Sequence, residues 1–505
     1  MLDVLWILVC AGLVFLMQAG FMCLESGMTR SKNNINVAVK NLADFGFSVG
    51  LFWLLGYGLM FGASLQGWIG WQPPMSNQAS AIAIALFLFQ AMFCGTAITI
   101  ISGAVAERLR VAGYIVVVTL ASGLIYPLFG HWAWNGLPTG MATGWLAQLG
   151  FVDFAGSTVV HGIGAWIALA ALWHIGPRQG RYAEAGDPVK IQGSDMPFSV
   201  LGALLLWFGW LGFNGGSTLA WSDQVPAILL NTVMAGVAGM LTAAGLSWRR
   251  YGLVEVEGLI NGSIAGLVAI TAGCHALPTP LAILVGAIGA IVADTVAHQL
   301  VRRGIDDAVD AIAVHGGAGA WGTLAVGLFG SLEQLGTGLP RLTQVGVQLL
   351  GIATAGLWAF GLAWSVLWLV RRWLPLRVTL AEEEVGLNIS EHRAKTATYD
   401  LLNVMDQQAQ TLDLSLRVPV ESFTEVGHIA TRYNQVMDRL EEQHQDRVID
   451  LDQLYTLTEL MRSALVTEGL TADQQAELQA IAAADTDLGQ LAHILQQLLA
   501  PRSTV

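Results

Sequence analysis

The sequence contains few charged residues. Of its 505 residues only 12% are charged and 54% are hydrophobic, whereas a soluble globular chain has about 25% charged residues. The charge is also uneven, since 16 of the 24 Lys and Arg precede position 380 and the rest of the chain is polar and acidic. An ordinary soluble protein is therefore excluded, and a protein that crosses the membrane many times is predicted.

Cysteine is scarce as well. The four cysteines (Cys10, Cys23, Cys94 and Cys274) lie in or beside apolar runs without metal-ligand spacing, so we expect buried thiols and no disulfide framework. We expect no cofactor, no enzyme activity and no nucleic-acid partner. The N-terminus lacks the basic region of a signal peptide, which predicts that residues 5–24 form a retained transmembrane helix.

Long apolar runs fill the first 370 residues. A membrane helix needs about 20 apolar residues, and the sequence offers eleven such segments, of which the eighth is the weakest because it is rich in glycine. Alternate loops hold fifteen Lys and Arg while the loops between them hold Arg341 alone, which places the N-terminus outside and the C-terminus in the cytoplasm. The predicted segments are 4–27, 37–61, 80–106, 112–132, 154–175, 197–214, 226–248, 257–273, 279–300, 311–330 and 344–370.

Two histidines inside these spans belong to a repeated motif. The core V-H-G…G-A-W surrounds His161 within 153–166 and His315 within 310–321, a stretch that begins at Asp310 and has one extra residue. The motifs open segments five and ten, so each belongs to a block of five spans, and the blocks cross in opposite senses. Inverted repeats place their functional site near the bilayer midplane. A packing role for each histidine is the alternative, but repeated ionisable groups in a membrane favour a pathway.

Further motifs run through the membrane part, and together with the histidine motifs they make residues 1 to about 390 resemble the ammonium transporter (Amt/Rh/methylammonium permease) family. That family's fold is an eleven-helix inverted-repeat protomer in a homotrimer with a pore in each subunit. The resemblance implies ammonium or ammonia as the substrate and lipid as the surroundings. The motifs are M-Q-A-G-F-M-C-L-E-S-G (17–27), G-A-V-A-E-R (103–108), D-F-A-G-S-T-V-V-H (153–161), W-L-G-F-N-G-G-S (210–217), N-G-S-I-A-G-L-V-A-I-T-A-G (261–273) and V-H-G (314–316).

The resemblance also implies roles for individual residues. Asp153 begins its helix, so a helix cap is an alternative to a direct role with the cation. The aromatic residues have lipid or core packing as their alternative. By position, the implied roles are an outer ammonium site at Phe93, Trp134 and Ser217, a stacked gate of Phe93 and Phe213, paired pore histidines His161 and His315, a nearby carboxylate at Asp153, and less specific pore positions at Gln90, Trp210 and Thr271.

The chain continues well beyond this region. The predicted domains are a membrane domain (1–377), a family-like regulatory tail (378–395) that can engage a PII-type signal protein, a HAMP-like helical linker (396–445) and a polar helical extension (446–505). In the linker, Val426, Ile429, Tyr433, Val436 and Leu440 follow 3-4-3-4 steps, which predicts a single coiled-coil seam.

The predicted fold is an all-α membrane protein with eleven transmembrane helices, arranged as a 5+5 inverted repeat plus one and followed by a helical cytoplasmic tail. Two functions compete for it. The first is a transporter that moves ammonium inward across the inner membrane of a bacterium. The second is a sensor that binds ammonium and signals through the tail, with a separate protein as output. A gas or water channel is disfavoured because Trp134 and Ser217 preserve a cation site.

Overall fold

The computed structural model describes residues 1–136, 140–467 and 469–500. In these ranges, ten helices are long and apolar enough to cross a membrane, and an eleventh apolar helix is shorter. We number them in chain order. The bounds are α1 Leu2–Met28, α2 Ser31–Phe61, α3 Ala81–Ala104, α4 Val111–Trp134, α5 Ser157–Ile175, α6 Met196–Gly216, α7 Val225–Tyr251, α8 Val256–Thr271 (the shorter helix), α9 Thr279–Arg302, α10 Ile312–Phe329 and α11 Arg341–Val370.

Helix α8 occupies the place of the eighth predicted segment but is only 16 residues long. At 1.5 Å per residue it covers about 24 Å, which is less than the hydrocarbon thickness of about 30 Å. It packs against α6, α7, α9 and α10, and nearly every residue from Ile260 to Thr271 is buried. Because protein rather than lipid surrounds it, α8 does not need the full spanning length. The count of eleven full-length spans is therefore not reached, whereas the all-helical membrane fold is confirmed.

Helices α5 and α10 both begin with a wide π-helical turn. The π-helical residues are Ser157–Gly162 in α5 and Ile312–Gly317 in α10, and each turn contains one of the motif histidines. π-Helical turns are rare and often mark functional sites. The two helices also approach closely, because a Cβ built at Gly319 would lie 2.4 Å from the Ser157 carbonyl oxygen. Gly319, four residues after His315, therefore permits this close approach.

Shorter elements complete the first compact unit, Met1–Ala394. An antiparallel hairpin pairs β1 (Ala63–Leu65) with β2 (Ile69–Trp71), with Ser64 opposite Gly70. After α11, two short helices follow, α12 (Leu380–Val385) and α13 (Leu387–His392).

The second compact unit, Lys395–Val505, is helical in its described part. Its helices are α14 (Ala397–Thr411), α15 (Glu425–Thr467), α16 (Ala472–Ala482) and α17 (Asp487–Leu499). One small core joins α14 and α15. A second joins the C-terminal half of α15 to α16 and α17 through Leu457, Leu460, Leu478, Ile481, Ala492 and Leu495.

The predicted seam on α15 is covered only in part within the chain. Val426 and Tyr433 pack with Ala430 against α14, whereas Ile429, Val436 and Leu440 are exposed. The 3-4-3-4 pattern therefore includes residues from two adjacent helix faces, because Ala430 is too weakly hydrophobic to mark the packed face in the sequence. The face of Val426 and Tyr433 is covered within the chain, and the face of Ile429, Val436 and Leu440 is exposed.

Candidate functional site

The two motif histidines meet inside the helical bundle. The Nδ1 atoms of His161 and His315 lie 3.2 Å apart and the ring centroids 5.1 Å apart. Both residues are buried. At this distance one ring donates a hydrogen bond through Nδ1 and the other accepts it, which requires the two neutral rings to be in different tautomers. The Nε2 atom of His161 is buried and has no hydrogen-bond partner among the described residues.

Aromatic rings form a column that ends at this pair. Phe93 and Phe213 stack with centroids 4.0 Å apart and planes within 6°. Trp134 contacts Phe93 edge to face at 6.3 Å, while Phe213 lies 5.5 Å from the His161 ring. The implied outer site, gate and histidine pair are thus consecutive neighbours.

A cavity of about 790 Å³ lies above the Phe93–Phe213 stack, and its lining includes Phe93, Trp134, Ser217, Gln90 and Asp153. The Ser217 hydroxyl donates to the Phe213 carbonyl oxygen at 2.8 Å, so its lone pairs remain able to accept from a cation. The Oε1 atom of Gln90 is buried and lacks a hydrogen-bond partner in the described part of the chain. The cavity therefore combines aromatic faces with oxygen acceptors.

The Asp153 carboxylate caps helix α5. Its Oδ1 accepts from the backbone N–H groups of Gly156 (3.0 Å) and Ser157 (2.8 Å), and its Oδ2 accepts from Thr158 and Val159 at 2.8 Å each. These are the N–H groups that the start of a helix leaves unpaired. Because both oxygens are engaged, Asp153 positions the turn that carries His161, and this geometry favours the cap over direct contact with the cation.

Asp307 was missed as the counterpart of Asp153. It precedes His315 by eight residues, as Asp153 precedes His161, and its Oδ2 accepts from the Ile312 N–H at 2.6 Å. Asp310, with which the second motif was taken to begin, instead accepts from Asn261 Nδ2 at 3.1 Å. Counting back from the histidine, rather than matching the letter D at the motif start, would have found Asp307.

Of the less specific pore positions, Gln90 lines the cavity, whereas Trp210 and Thr271 lie beside His161. The Trp210 ring stacks on His161 with centroids 5.2 Å apart. Its Nε1 donates to Thr271 Oγ1 at 2.9 Å, and Thr271 in turn donates to the Leu267 carbonyl oxygen at 2.7 Å. Phe21 was not singled out from the sequence, although its ring lies 5.8 Å from His315. One phenylalanine among 18 gives no signal of its own.

A buried ion-pair cluster joins the C-terminal end of α5 to the N-terminal end of α10. Arg178, just after α5, contacts Asp306, just before α10, through Nε–Oδ2 at 2.8 Å, and contacts Glu107 through Nη1–Oε1 at 2.9 Å. Burial opposes ionisation of the Asp306 carboxyl, but Arg178 and Arg108 hold its pKa below the ordinary range. The cluster therefore fixes α5 relative to α10 at the end distant from the outer cavity.

Comparison with known proteins gives the family. The model of the Ammonium Transporter Family matches residues 5–398. The chain belongs to the ammonium transporter family. Two relatives of this chain are named ammonium transporters, and neither is named an enzyme.

Individual relatives cover both parts of the chain. A putative ammonium transporter of Synechocystis sp. is 59% identical over 502 residues, which is 98% of this chain and 93% of the relative. The ammonium transporter Amt2 of Archaeoglobus fulgidus is 40% identical, and the similarity covers 78% of this chain and 87% of that relative. The first similarity spans nearly the whole chain and so includes the second compact unit, whereas the second leaves about a fifth of the chain unmatched.

Solved structures give the same fold. A protein described as a sensor Amt protein matches with a TM-score of 0.75 and 40% identity, covering 77% of this chain and 98% of its own. Saccharomyces cerevisiae Mep2 matches with a TM-score of 0.68 and 26% identity, covering 75% and 88%. The chain is therefore a multi-pass membrane protein with the ammonium transporter fold.

Proposed function

We propose that this chain moves ammonium inward across the cytoplasmic membrane of a bacterium, through a mouth cation site, a phenylalanine gate and paired pore histidines. The observation that supports it best is the 3.2 Å contact between the Nδ1 atoms of His161 and His315 beneath the Phe93–Phe213 stack. The proposed orientation has the N-terminus outside and the C-terminus in the cytoplasm, with three chains in a trimer.

The mouth selects a small cation. Trp134 and Phe93 present aromatic faces to the cavity, and a desolvated cation over such a face gains about 0.5–2 kcal/mol. The Ser217 hydroxyl accepts one N–H of ammonium, which a potassium ion does not possess. The mouth thus replaces part of the hydration of ammonium before the gate.

Below the gate, the charge must be left behind. An unpaired ion in a dry passage loses several kcal/mol of hydration, and the stacked phenylalanines offer no polar partner. Ammonium avoids this cost by giving up its proton and crossing as neutral ammonia. The His161–His315 pair provides two ring nitrogens in hydrogen-bond contact, and histidine exchanges protons near neutral pH. The pair therefore carries the proton while ammonia passes beside it.

The segment after α11 is proposed to regulate the pore. Lys32 Nζ donates to the carbonyl oxygens of Glu383 and Glu384 at 2.8 Å each, and Arg110 pairs with Glu382 at 2.6 Å. These contacts hold α12 against the first turn of α2 and the residue that precedes α4. A PII-type signal protein that binds the same face would compete with them.

A sensor is the second candidate. It is favoured by the similarity to the solved sensor Amt protein and by the helical unit Lys395–Val505. In that case the same mouth and histidine pair bind ammonium, and a separate output protein reads the second unit, with little or no flux.

Electrogenic current in proteoliposomes decides between the two functions. We expect an ammonium-dependent current from the wild-type protein, its loss in His161→Ala, and its retention in a chain that ends after residue 395. An ammonium-binding protein without current would instead establish the sensor.

A further inference from the structure

A second group of buried polar side chains lies away from the outer cavity, among α1, α2, α3 and α4. We call it the polar seam. Polar and ionisable groups inside a membrane are costly to keep and usually serve a purpose. The members, each nine-tenths buried or more, are Gln18, Glu25, Lys40, Asn41, Asp44, Thr99, Ser102 and Tyr114.

One end of the polar seam is well paired. Asn41 Nδ2 donates to Glu25 Oε2 at 2.8 Å, and Thr99 Oγ1 donates to Asn41 Oδ1 at 2.8 Å. Lys40 Nζ donates to the Leu109 carbonyl oxygen at 2.5 Å, and its electrostatic neighbours are Glu391, Arg108 and Glu25. Each polar group named at this end therefore has a hydrogen-bond partner.

The other end is not paired. Asp44 is fully buried, and Tyr114 donates to its Oδ2 at 2.6 Å. Its Oδ1 has no hydrogen-bond partner, and its carboxyl has no ion-pair partner, within the described ranges. Both amide atoms of Gln18, which is 9% exposed, also lack partners there.

The lack of a cationic partner favours a proton on Asp44. The polar seam holds two carboxyl groups and one ammonium group, and an isolated carboxylate without a counter-ion would cost several kcal/mol. A proton satisfies this need without a cavity, since it converts the carboxylate to a neutral acid and turns the unpaired Oδ1 into an O–H group.

We propose that the polar seam is a proton-binding site outside the pore and that Asp44 carries the proton. The site takes one proton on Oδ1 while Tyr114 continues to donate to Oδ2. Glu25 keeps its hydrogen bond from Asn41. None of its members lines the outer cavity above the Phe93–Phe213 stack.

The proton also stabilises the helix on which the family-like tail docks. On α2, the Asn36 N–H donates to Asn388 Oδ1 at 3.0 Å, and Asn36 Nδ2 lies 2.9 Å from His392 Nε2. Asn36 lies one turn from Lys40 and two turns from Asp44. Loss of the proton would leave a buried charge on the helix that holds the tail.

Linkage gives the first test. Since the unfolded chain releases the Asp44 proton near pH 4, the folded chain binds one proton more at neutral pH, and stability falls as pH rises. Unfolding midpoints of the full-length protein in detergent are compared between wild type and Asp44→Asn at pH 5 to 8. We expect the wild type to lose up to about tenfold in folding equilibrium constant per pH unit relative to the variant. Parallel curves would overturn the proposal.

Infrared spectroscopy gives a direct readout. We expect the carbonyl band of a protonated carboxylic acid in the wild-type spectrum to lose one component in Asp44→Asn, and to keep it in the matched variant Glu25→Gln. Identical spectra for wild type and Asp44→Asn would refute the assignment. An Asp44→Asn protein that does not fold would refute it as well, because an amide and a neutral acid of the same shape fill the site alike.

Discussion

Replacing Trp134 by leucine tests the proposed mouth most directly. Trp134 presents its ring to the cavity, contacts Phe93 edge to face at 6.3 Å and donates from Nε1 to the Asp153 carbonyl oxygen at 2.7 Å. Leucine removes the aromatic face, which is worth about 1–2 kcal/mol for a desolvated cation. At 1.4 kcal/mol per factor of ten, the half-saturating ammonium concentration should rise by roughly 5- to 30-fold.

The assay is ammonium-dependent current in proteoliposomes, measured over a range of ammonium and methylammonium concentrations. Trp134→Phe separates the two roles of the side chain, because it keeps an aromatic face but loses the Nε1 hydrogen bond. Trp68→Leu is the matched control, since Trp68 packs against Trp132 and Trp145 in the hairpin region rather than on the cavity. Wild-type half-saturation and selectivity in Trp134→Leu would leave that residue with a packing role alone.

Three further predictions concern the histidines and their supports. His161→Ala or His315→Ala should abolish selective ammonium current while the protein still assembles; unchanged current and potassium exclusion in either variant would contradict the relay. Asp307→Ala should lower the unfolding midpoint, because a lost helix cap costs about 0.5–2 kcal/mol; a midpoint equal to wild type would remove its capping role. The pKa of Asp306 lies below its ordinary value of 3.8, so this group stabilises the fold above that pH and the stabilisation is lost as the pH falls further. Arg178→Met should weaken that acid dependence in circular-dichroism unfolding, and an unchanged dependence would contradict the pairing.

Most of the membrane fold could be predicted from the sequence, because lipid imposes a length and a composition on each span. The exception was α8, which is shorter than a full membrane span because other helices, rather than lipid, surround it. The pairing of His161 with His315 followed from the repeat, since matching positions in inverted halves face each other. The helices that carry the two histidines are each capped by a carboxylate. Only Asp153 could be identified from the sequence, because the second motif aligns on Asp310 instead of Asp307.

The polar seam could not be predicted from the sequence, because its members come from four different helices. Asp44 and Lys40 are separated by a single helical turn, which in an isolated helix would suggest a simple ion pair. In the structure, Lys40 Nζ instead donates to the Leu109 carbonyl oxygen, which lies between α3 and α4. Which part of the chain supplies the partner depends on the tertiary fold, and hydropathy does not encode it.

The open face of α15 gives the last prediction. Ile429, Val436 and Leu440 are 55%, 53% and 41% exposed, although they recur at the spacing of a coiled-coil seam. We expect this face to pack against another helix, within or between subunits, and ammonium to alter that packing. A ligand shifts such an equilibrium only by its differential affinity for the two arrangements. Spin labels at Arg432 and Arg439 should therefore report distances that change with ammonium in the wild type but not in His161→Ala. Identical distances in both states, with normal current after deletion beyond residue 395, would make the second unit a passive appendage.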